Sequence, residues 1–256
     1  MKNAIVYEGP SAIDGAPIVA ILTGIDGGSQ NVKTGFNRKA DGVQRNMVQL
    51  FIIRADVGPL EAIRSGDDAS ICGSCVHRRR WNPDTEKFER SCYVNVGQSV
   101  QVIYRTFLRG AYARVACEDL PMMPATRFGA YGDPAALPIA VLESLSRKAD
   151  GWTGYTHLWK TCNPEMKRFL MASVDTQDET CAARAAGWRT FGVVATTAVR
   201  PTAGAIWCPA SAAGGHRARC IDCKLCSGNA SGGKSIEIPA HGTDAAAVDN
   251  RLLTIA

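Results

Sequence analysis

Three cysteines at intervals of three residues, Cys220, Cys223 and Cys226, are the feature that most restricts what this chain can form. The spacing lets one short loop direct three thiolates at a common centre, as the C-x2-C-x2-C run does for three ligands of a [4Fe–4S] cluster. The fourth ligand of such a centre is normally remote and often adjoins a proline, and Cys208 precedes Pro209. We therefore predict that these four cysteines ligate one metal centre.

A second group comprises Cys72 and Cys75, separated by two residues, and Cys92. Gly73 permits the tight turn that a C-x2-C knuckle requires. Three thiolates leave one coordination position for substrate, cofactor or water, so this centre is predicted to be the reactive one. His77 is the nearby residue whose imidazole would close it.

The identity of the metal stays open at this point. A third evenly spaced cysteine favours one or two [4Fe–4S] clusters over zinc. Zinc is the alternative, because Cys72, Cys75, Cys220 and Cys223 could form one tetrahedral four-sulfur site. The other three of the ten cysteines, which are Cys117, Cys162 and Cys181, are interpreted as packed thiols.

Composition indicates a globular protein of the reducing compartment. The chain has 256 residues, 46% of them hydrophobic, and a net charge of +5 that permits a nucleic-acid partner without requiring one. No apolar run approaches the roughly 18 residues of a membrane span, and Glu8 and Pro10 interrupt any signal-peptide core. We expect no membrane association and a cytoplasmic location, where clustered cysteines bind metals rather than form disulfides.

Strand and helix patterns alternate along the chain. Strands are predicted at 17–24, 47–55, 126–130, 154–158, 169–174 and 190–195, and helices at 60–64, 99–108, 138–148 and 180–186. This order predicts an α/β fold with a largely parallel sheet, either a partial or distorted (β/α) barrel or an open sheet. We expect one domain, 1–256, with cysteine-rich metal-binding loops at 71–92 and 208–228. The stretch 214–242 lacks apolar periodicity and is predicted to need a ligand to become ordered.

Polar side chains follow the late predicted strands. Asp133, His157 and Asp175 would gather at the carboxyl edge of a parallel sheet, where ligands bind, and they are the candidate catalytic residues. Helix capping is the competing interpretation for Asp133 and Asp175.

A basic run, His77 to Trp81, lies in the first cysteine loop. Arginine beside an aromatic side chain can hold phosphate and stack a base, so Arg78 and Arg79, together with Tyr131, are the candidate cofactor-binding residues. A solvated loop is the alternative. The P-loop spacing at 228–235 lacks the flanking strand and helix and is taken as a coincidence.

Seven segments carry a family resemblance: 67–75 (DDASICGSC), 92–97 (CYVNVG), 131–134 (YGDP), 151–157 (GWTGYTH), 171–176 (MASVDT), 187–191 (GWRTF) and 208–211 (CPAS). They resemble an uncharacterised cysteine-rich family of bacteriophages and mobile elements, over most of 17–226. The resemblance implies a location in the bacterial host cytoplasm and no defined chemistry. The sheet pattern and the open three-cysteine group are also loosely similar to radical-SAM iron–sulfur proteins, but the chain lacks their C-x3-C-x2-C motif, which argues against S-adenosylmethionine binding.

Three functions follow from these features. The first is an iron–sulfur enzyme of phage type that acts on nucleic acid or a nucleotide precursor, as in base modification. The second is a zinc-stapled module that binds nucleic acid or a host protein through Arg78–Arg80 without catalysis. The third is a cluster-bearing redox or structural protein.

Overall fold

The computed structural model describes residues 1–26, 37–38, 44–241 and 245–255. Its strands are β1 (Asn3–Pro10), β2 (Pro17–Thr23), β3 (Asn37–Arg38), β4 (Gln44–Arg45), β5 (Val48–Arg54), β6 (Arg80–Asn82), β7 (Lys87–Glu89), β8 (Ala113–Arg114), β9 (Thr126–Tyr131), β10 (Trp152–Thr156), β11 (Met171–Val174), β12 (Thr190–Val194), β13 (Ala205–Trp207) and β14 (Ser235–Pro239). Ten of them form one sheet, in the order β13-β14-β12-β11-β10-β9-β5-β2-β1-β8, while β3-β4 and β6-β7 are separate pairs.

The helices are short. They are α1 (Pro59–Ser65), α2 (Ala69–Cys72), α3 (Gln101–Leu108), α4 (Ile139–Lys148), α5 (Gln177–Ala185), α6 (Cys220–Cys223) and α7 (Ala245–Ile255). A π-helical turn, Val96–Val100, precedes α3, and 3-10 turns occur at Cys117–Asp119, Pro134–Ala136, Pro164–Arg168 and Gly228–Ser231. No helix in the described residues has the length and apolar character needed to span a membrane.

The sheet is mostly parallel. Every pairing from β5 through β9, β10, β11, β12 and β14 to β13 is parallel, whereas β1-β2 and β2-β5 are antiparallel. Both β2 and β5 are almost fully buried, as their continuous apolar sequences predict. The predicted α/β class with a largely parallel sheet is confirmed.

The two faces of this sheet differ in what covers them. Strands β9 to β12 follow one another in one direction, so right-handed crossovers place α4 and α5 on the same face. On that face Phe128 stacks on Trp152, with ring centroids 6.0 Å apart. Side chains alternate along a strand, so Arg127 and Tyr155 belong to the opposite face. The cysteine-bearing segments cover that opposite face.

Several element bounds differ from prediction for local reasons. Strand β10 begins at Trp152, because that indole packs on Phe128, and it ends before Leu158. Helix α5 begins at Gln177, because Thr176 caps it. Within 214–242, the stretch predicted to need a ligand to become ordered, β14 lies between β12 and β13 with Ile236 buried. Residue 242 lies outside the described residues.

Candidate metal centres

The first cysteine group begins at the end of α2. Cys72 is the last residue of that helix, and Gly73 turns the chain toward Cys75 with a positive φ of 55°. A Cβ on Gly73 would lie 2.2 Å from the Leu158 side chain, so only glycine fits between the two segments. The knuckle is thus held against the turn that follows β10.

Cys92 returns to this knuckle through the hairpin formed by β6 and β7. Its backbone N–H donates to the carbonyl of His77 at 3.1 Å. Burial raises the pKa of the Cys72 thiol well above its ordinary value, and the neighbouring Cys75 and Cys92 raise it further. Burial also raises the pKa of Cys92, and Cys75 again contributes. The three sulfurs therefore lie close enough to interact in every pair.

Two histidines and one aspartate gather beside this group. His77 Nε2 lies 3.1 Å from Asp175 Oδ1, and its Nδ1 lies 2.8 Å from Ser91 Oγ. His157 Nε2 lies 3.6 Å from Asp175 Oδ2. Burial alone would raise the pKa of Asp175, but the contacts with His157 and His77 lower it well below its usual range.

His157 is the imidazole that faces the thiols. Burial would lower its pKa, but the adjacent Cys75 and Asp175 raise it well above the ordinary value. Both ring nitrogens of His77, in contrast, are directed at Ser91 and Asp175. His77 is therefore placed to contact the carboxylate and not to close the three-cysteine shell.

Asp133 supports His157 through the backbone. Its Oδ1 accepts from the Ala135 N–H at 3.0 Å, and its Oδ2 accepts from the His157 N–H at 2.8 Å. Burial raises the pKa of this carboxyl, and the bond from Ala135 opposes that rise. Both oxygens are therefore engaged in capping and positioning, and a catalytic role for Asp133 stays a prediction.

Asp175 does not cap helix α5, which was the alternative interpretation of this residue. Thr176 caps α5 by accepting from the Glu179 N–H, and Glu179 Oε2 accepts from the Asp175 N–H at 2.9 Å. Thr176 and Glu179 have the spacing of a capping box, but Glu179 accepts from Asp175, the residue before the cap, instead of from the Thr176 N–H. This bond fixes the Asp175 backbone and leaves its carboxylate for the two histidines.

The candidate cofactor-binding residues separate into different roles. Arg78 donates to Asp68 Oδ1 and to the carbonyls of Gly66 and Gly73. These contacts give its guanidinium a structural role in the loop, and its cofactor role stays a prediction. Arg79 is partly buried: its Nη1 donates to the Arg64 carbonyl at 3.1 Å, and its guanidinium lies 3.5 Å from the centroid of the Phe88 ring.

Tyr131 lies beneath the first cysteine group. Its side chain is buried, and its hydroxyl has no hydrogen-bond partner among the described residues. Burial raises its pKa, and the nearby Cys72 contributes. An unpaired buried hydroxyl beside thiols is a donor available to a sulfur-rich group.

The second cysteine group joins four thiols. Cys208 follows β13, Cys220 and Cys223 bound α6, and Cys226 lies three residues further on. Burial raises the pKa of Cys226 to about 12, and the other three thiols add to that effect. Cys208 and Cys223 likewise raise the pKa of Cys220 after burial, and Cys223 that of Cys208. All six pairs therefore interact.

Close backbone approaches hold this segment in place. A Cβ on Gly214 would lie 2.0 Å from the Cys208 carbonyl oxygen, so glycine is required where the loop folds back. Arg189 donates from Nη1 to the carbonyls of Leu225 and Gly228, at 2.8 and 2.6 Å. The segment thereby crosses the amino ends of β10 to β12, whereas the first group lies at the carboxyl ends.

Tyr155 lies on the face between the two groups. The N–H of the preceding Gly154 donates to the Cys226 carbonyl at 2.9 Å, and two residues after Tyr155 the chain reaches His157. Cys72 and Cys75 are thus grouped with Cys92, and Cys220 and Cys223 with Cys208 and Cys226. The alternative that joined the two C-x2-C knuckles in one four-sulfur zinc site is wrong, because they lie at opposite ends of the strands.

The distances between ligand sulfurs differ between a zinc site and a [4Fe–4S] cluster. A tetrahedral zinc site with bonds of about 2.3 Å holds its sulfurs roughly 3.8 Å apart, whereas a cubane holds them at roughly 6 Å. Among the described residues, the one set of three His, Cys, Asp or Glu ligand atoms all within 4.8 Å of each other is His77, His157 and Asp175. Neither cysteine group forms so compact a set among the described residues, and the metal that each would hold stays a prediction.

The remaining cysteines are not equivalent. Cys117 is buried and Cys162 partly buried, as packed thiols should be, but Cys181 is exposed on α5. The interpretation of Cys181 as packed is wrong, because the buried stripe of that helix consists of Thr180 and Ala183.

Sequence reasoning missed several supporting residues. Ser91, which holds His77, gives no local signal. Glu179 could have been found, since Thr176 and Glu179 have the spacing of a capping box. Tyr155 and Arg127 share a face with the cysteines only through strand register, which a single sequence does not reveal.

Comparison with known proteins identified no relative of this chain. No family model matches the chain, and neither the curated proteins nor the solved structures contain a significant match.

Proposed function

We propose that this protein is an iron–sulfur enzyme that acts on nucleic acid or on a nucleotide. The observation that carries the proposal is the position of the three-cysteine group. It lies at the carboxyl ends of β9, β10 and β11, beside His157 and Asp175, where parallel α/β sheets bind their ligands.

The two cysteine groups differ in ligand number, and we assign them different roles. Cys208, Cys220, Cys223 and Cys226 would close the shell of one cluster, which suits a structural or electron-transfer role. Cys72, Cys75 and Cys92 would hold a cluster with one iron lacking a thiolate, and such a cluster supplies a site for substrate or cofactor binding. Tyr131 offers it a buried hydroxyl, and His157 lies at its edge.

The hairpin of β6 and β7 supports a nucleic-acid substrate. Trp81 and Phe88 face each other across the strands, with ring centroids 5.2 Å apart, and each is 54% exposed. Arg79 lies over Phe88, which gives the surface a positive charge beside two aromatic rings. Exposed aromatic and basic side chains of this kind stack bases and hold phosphates.

The hairpin arises between Cys75 and Cys92, so its base is part of the three-cysteine group. A single strand of nucleic acid whose bases stack on Trp81 and Phe88 would therefore lie near that centre. The bacteriophage or mobile-element origin belongs to this proposal as well, and it rests on the resemblance of the seven sequence segments.

A zinc-stapled binding module is the second candidate. His157 is close to both Cys75 and Cys92 and could complete a shell of three thiolates and one imidazole. Such a shell is closed and structural. The hairpin would then be a recognition surface without a reactive centre behind it.

Metal and sulfide analysis after anaerobic purification separates the two candidates. Two [4Fe–4S] clusters predict roughly eight iron and eight sulfide per chain, and one cluster predicts roughly four of each. Cys75→Ser and Cys223→Ser should each remove one centre, whereas Cys181→Ser, an exposed cysteine outside both groups, should change nothing. Stoichiometric zinc without sulfide would replace the enzyme proposal with the binding module.

Binding of a fluorescent single-stranded oligonucleotide tests the partner. Trp81→Ala and Phe88→Ala should each weaken binding by roughly tenfold, since stacking contributes about 1–3 kcal/mol per base. Leu108→Ala removes a side chain that is 62% exposed but lies elsewhere, and it serves as the control. Equal affinity in all three variants would exclude the hairpin as the nucleic-acid surface.

A further inference from the structure

We propose that His77, His157 and Asp175 bind one divalent first-row transition-metal ion, Fe²⁺ or Mn²⁺, at a site distinct from both cysteine groups. Their ligand atoms all lie within 4.8 Å of one another. This site is compatible with clusters on both cysteine groups, whereas a zinc shell completed by His157 would exclude it.

The interatomic distances favour an ion over a simple hydrogen-bonded chain. Ligand atoms about 2.1 Å from a common ion, at angles between octahedral and tetrahedral, lie roughly 3.0–3.4 Å apart. His77 Nε2 lies 3.1 Å from Asp175 Oδ1, within that range, and His157 Nε2 lies 3.6 Å from Asp175 Oδ2, slightly beyond it. The second is too long for a hydrogen bond. His157 Nε2 is in fact buried without a hydrogen-bond partner among the described residues.

Each ligand is held by a second contact, as metal ligands usually are. Ser91 Oγ lies 2.8 Å from His77 Nδ1 and can accept a hydrogen bond from the Nδ1–H group. In that tautomer the lone pair of His77 Nε2 is available to the ion. Asp133 fixes the His157 backbone, and Glu179 fixes that of Asp175. The three ligands thus come from three separate segments with preset orientations.

The donor set selects the kind of ion. Two imidazoles and one carboxylate with open positions are the ligands of mononuclear non-haem Fe²⁺ sites, and Mn²⁺ accepts the same donors. The side chain of His157 is 23% exposed, against 11% for His77 and 5% for Asp175. The three ligands leave further coordination positions for water or substrate, although the ligand atom of His157 is itself buried.

Mn²⁺ is the appropriate probe, because it prefers oxygen and nitrogen donors and competes poorly for thiolates. Full-length protein with its cysteine centres filled is titrated anaerobically with Mn²⁺, and the free ion is followed by electron paramagnetic resonance. We expect one bound ion per chain, with nitrogen modulation from two imidazoles in the pulsed spectrum. Absence of binding, or bound Mn²⁺ without imidazole nitrogen, would overturn the proposal.

Variants provide a second, independent measurement. His77→Ala and Asp175→Ala should abolish binding, and Ser91→Ala should weaken it by roughly tenfold, as loss of an outer-shell contact does. His216→Ala and His241→Ala remove exposed imidazoles from other parts of the chain and should bind Mn²⁺ as the parent does. Circular dichroism and cluster content establish that each variant is folded. Parent-like binding by folded His77→Ala would refute the site.

Discussion

The carboxylate of Asp133 holds His157 in place through a 2.8 Å hydrogen bond from the His157 backbone N–H. The same carboxylate caps the turn at Pro134–Ala136 through its other oxygen. One buried side chain at the end of β9 therefore determines where the imidazole at the end of β10 lies. The connection runs between neighbouring parallel strands, which is why these residues meet although 24 positions separate them.

Asp133→Asn should destabilise the protein and loosen His157. The amide retains one acceptor oxygen, so one of the two backbone N–H groups loses its partner in a buried place. We expect a loss of about 1–3 kcal/mol in the free energy of unfolding, measured by urea denaturation of the metal-loaded protein. Asp84→Asn, on an exposed turn, is the control and should change stability by less than about 0.5 kcal/mol. A stability equal to that of the parent would argue against the positioning role.

Arg78 and Arg79 should respond oppositely to substitution. Arg78→Ala leaves Asp68 buried without its partner and should lower stability by roughly 2–4 kcal/mol. Arg79→Ala removes the guanidinium over Phe88 and one hydrogen bond to the Arg64 carbonyl, so it should lower stability by at most about 1 kcal/mol, while weakening oligonucleotide binding and reducing its salt dependence. Thermal unfolding and binding at two salt concentrations measure both effects. If Arg78→Ala alone weakened binding while remaining fully stable, the structural role assigned to Arg78 would be wrong.

Gly214→Ala should impair the four-cysteine centre. Its methyl group would meet the Cys208 carbonyl oxygen at 2.0 Å, so the loop must shift and move Cys208 away from the other thiols. We expect lower metal content per chain, with the first group retained. Gly58→Ala is the matched control, because its nearest contact would be an ordinary 3.5 Å. Normal metal content in Gly214→Ala would show that this approach does not position the ligand.

Thiol alkylation should distinguish the three cysteines outside the metal groups. Burial raises the pKa of Cys117 to about 11 and that of Cys162 to about 12, so both are almost entirely protonated at neutral pH. The thiolate is the reactive form, so iodoacetamide should label exposed Cys181 first and reach the other two only as the pH rises toward their pKa. Peptide mass spectrometry of the metal-loaded protein follows each site. Rapid labelling of Cys162 at neutral pH would contradict the assignment.

Removal of the metal should expose the loop between Cys208 and Cys220 to protease. Few apolar side chains anchor that loop, so ligation must offset ordering entropy of roughly 1–2 kcal/mol per residue. Trypsin should then cleave after Arg217 and Arg219 in chelator-treated protein and in Cys223→Ser, but slowly in the loaded parent. Strand β14 should resist for longer, since it is paired on both sides. An unchanged cleavage pattern would show that the metal does not order the loop.

The sequence was a good guide wherever the signal was local. Continuous apolar runs predicted β2 and β5, and strand–helix alternation predicted the parallel half of the sheet. It failed at β14, because Ser235–Pro239 is only five residues long and ends at a proline, and two neighbouring strands stabilise it. It also gave no indication of the structural role of Arg78, whose partner Asp68 lies in a turn that a charge run does not reveal.

The amino-acid sequence by itself determined which residues can ligate a metal and which cysteines belong to one loop, because C-x2-C spacing is a property of the local backbone. Only the tertiary structure decided which loops meet. It placed Cys92 beside Cys72, separated the two C-x2-C knuckles, and directed His77 at Asp175 instead of at the thiols. The physical reason is that strand order and pleat alternation, not distance along the chain, determine which side chains share one end and one face of a parallel sheet.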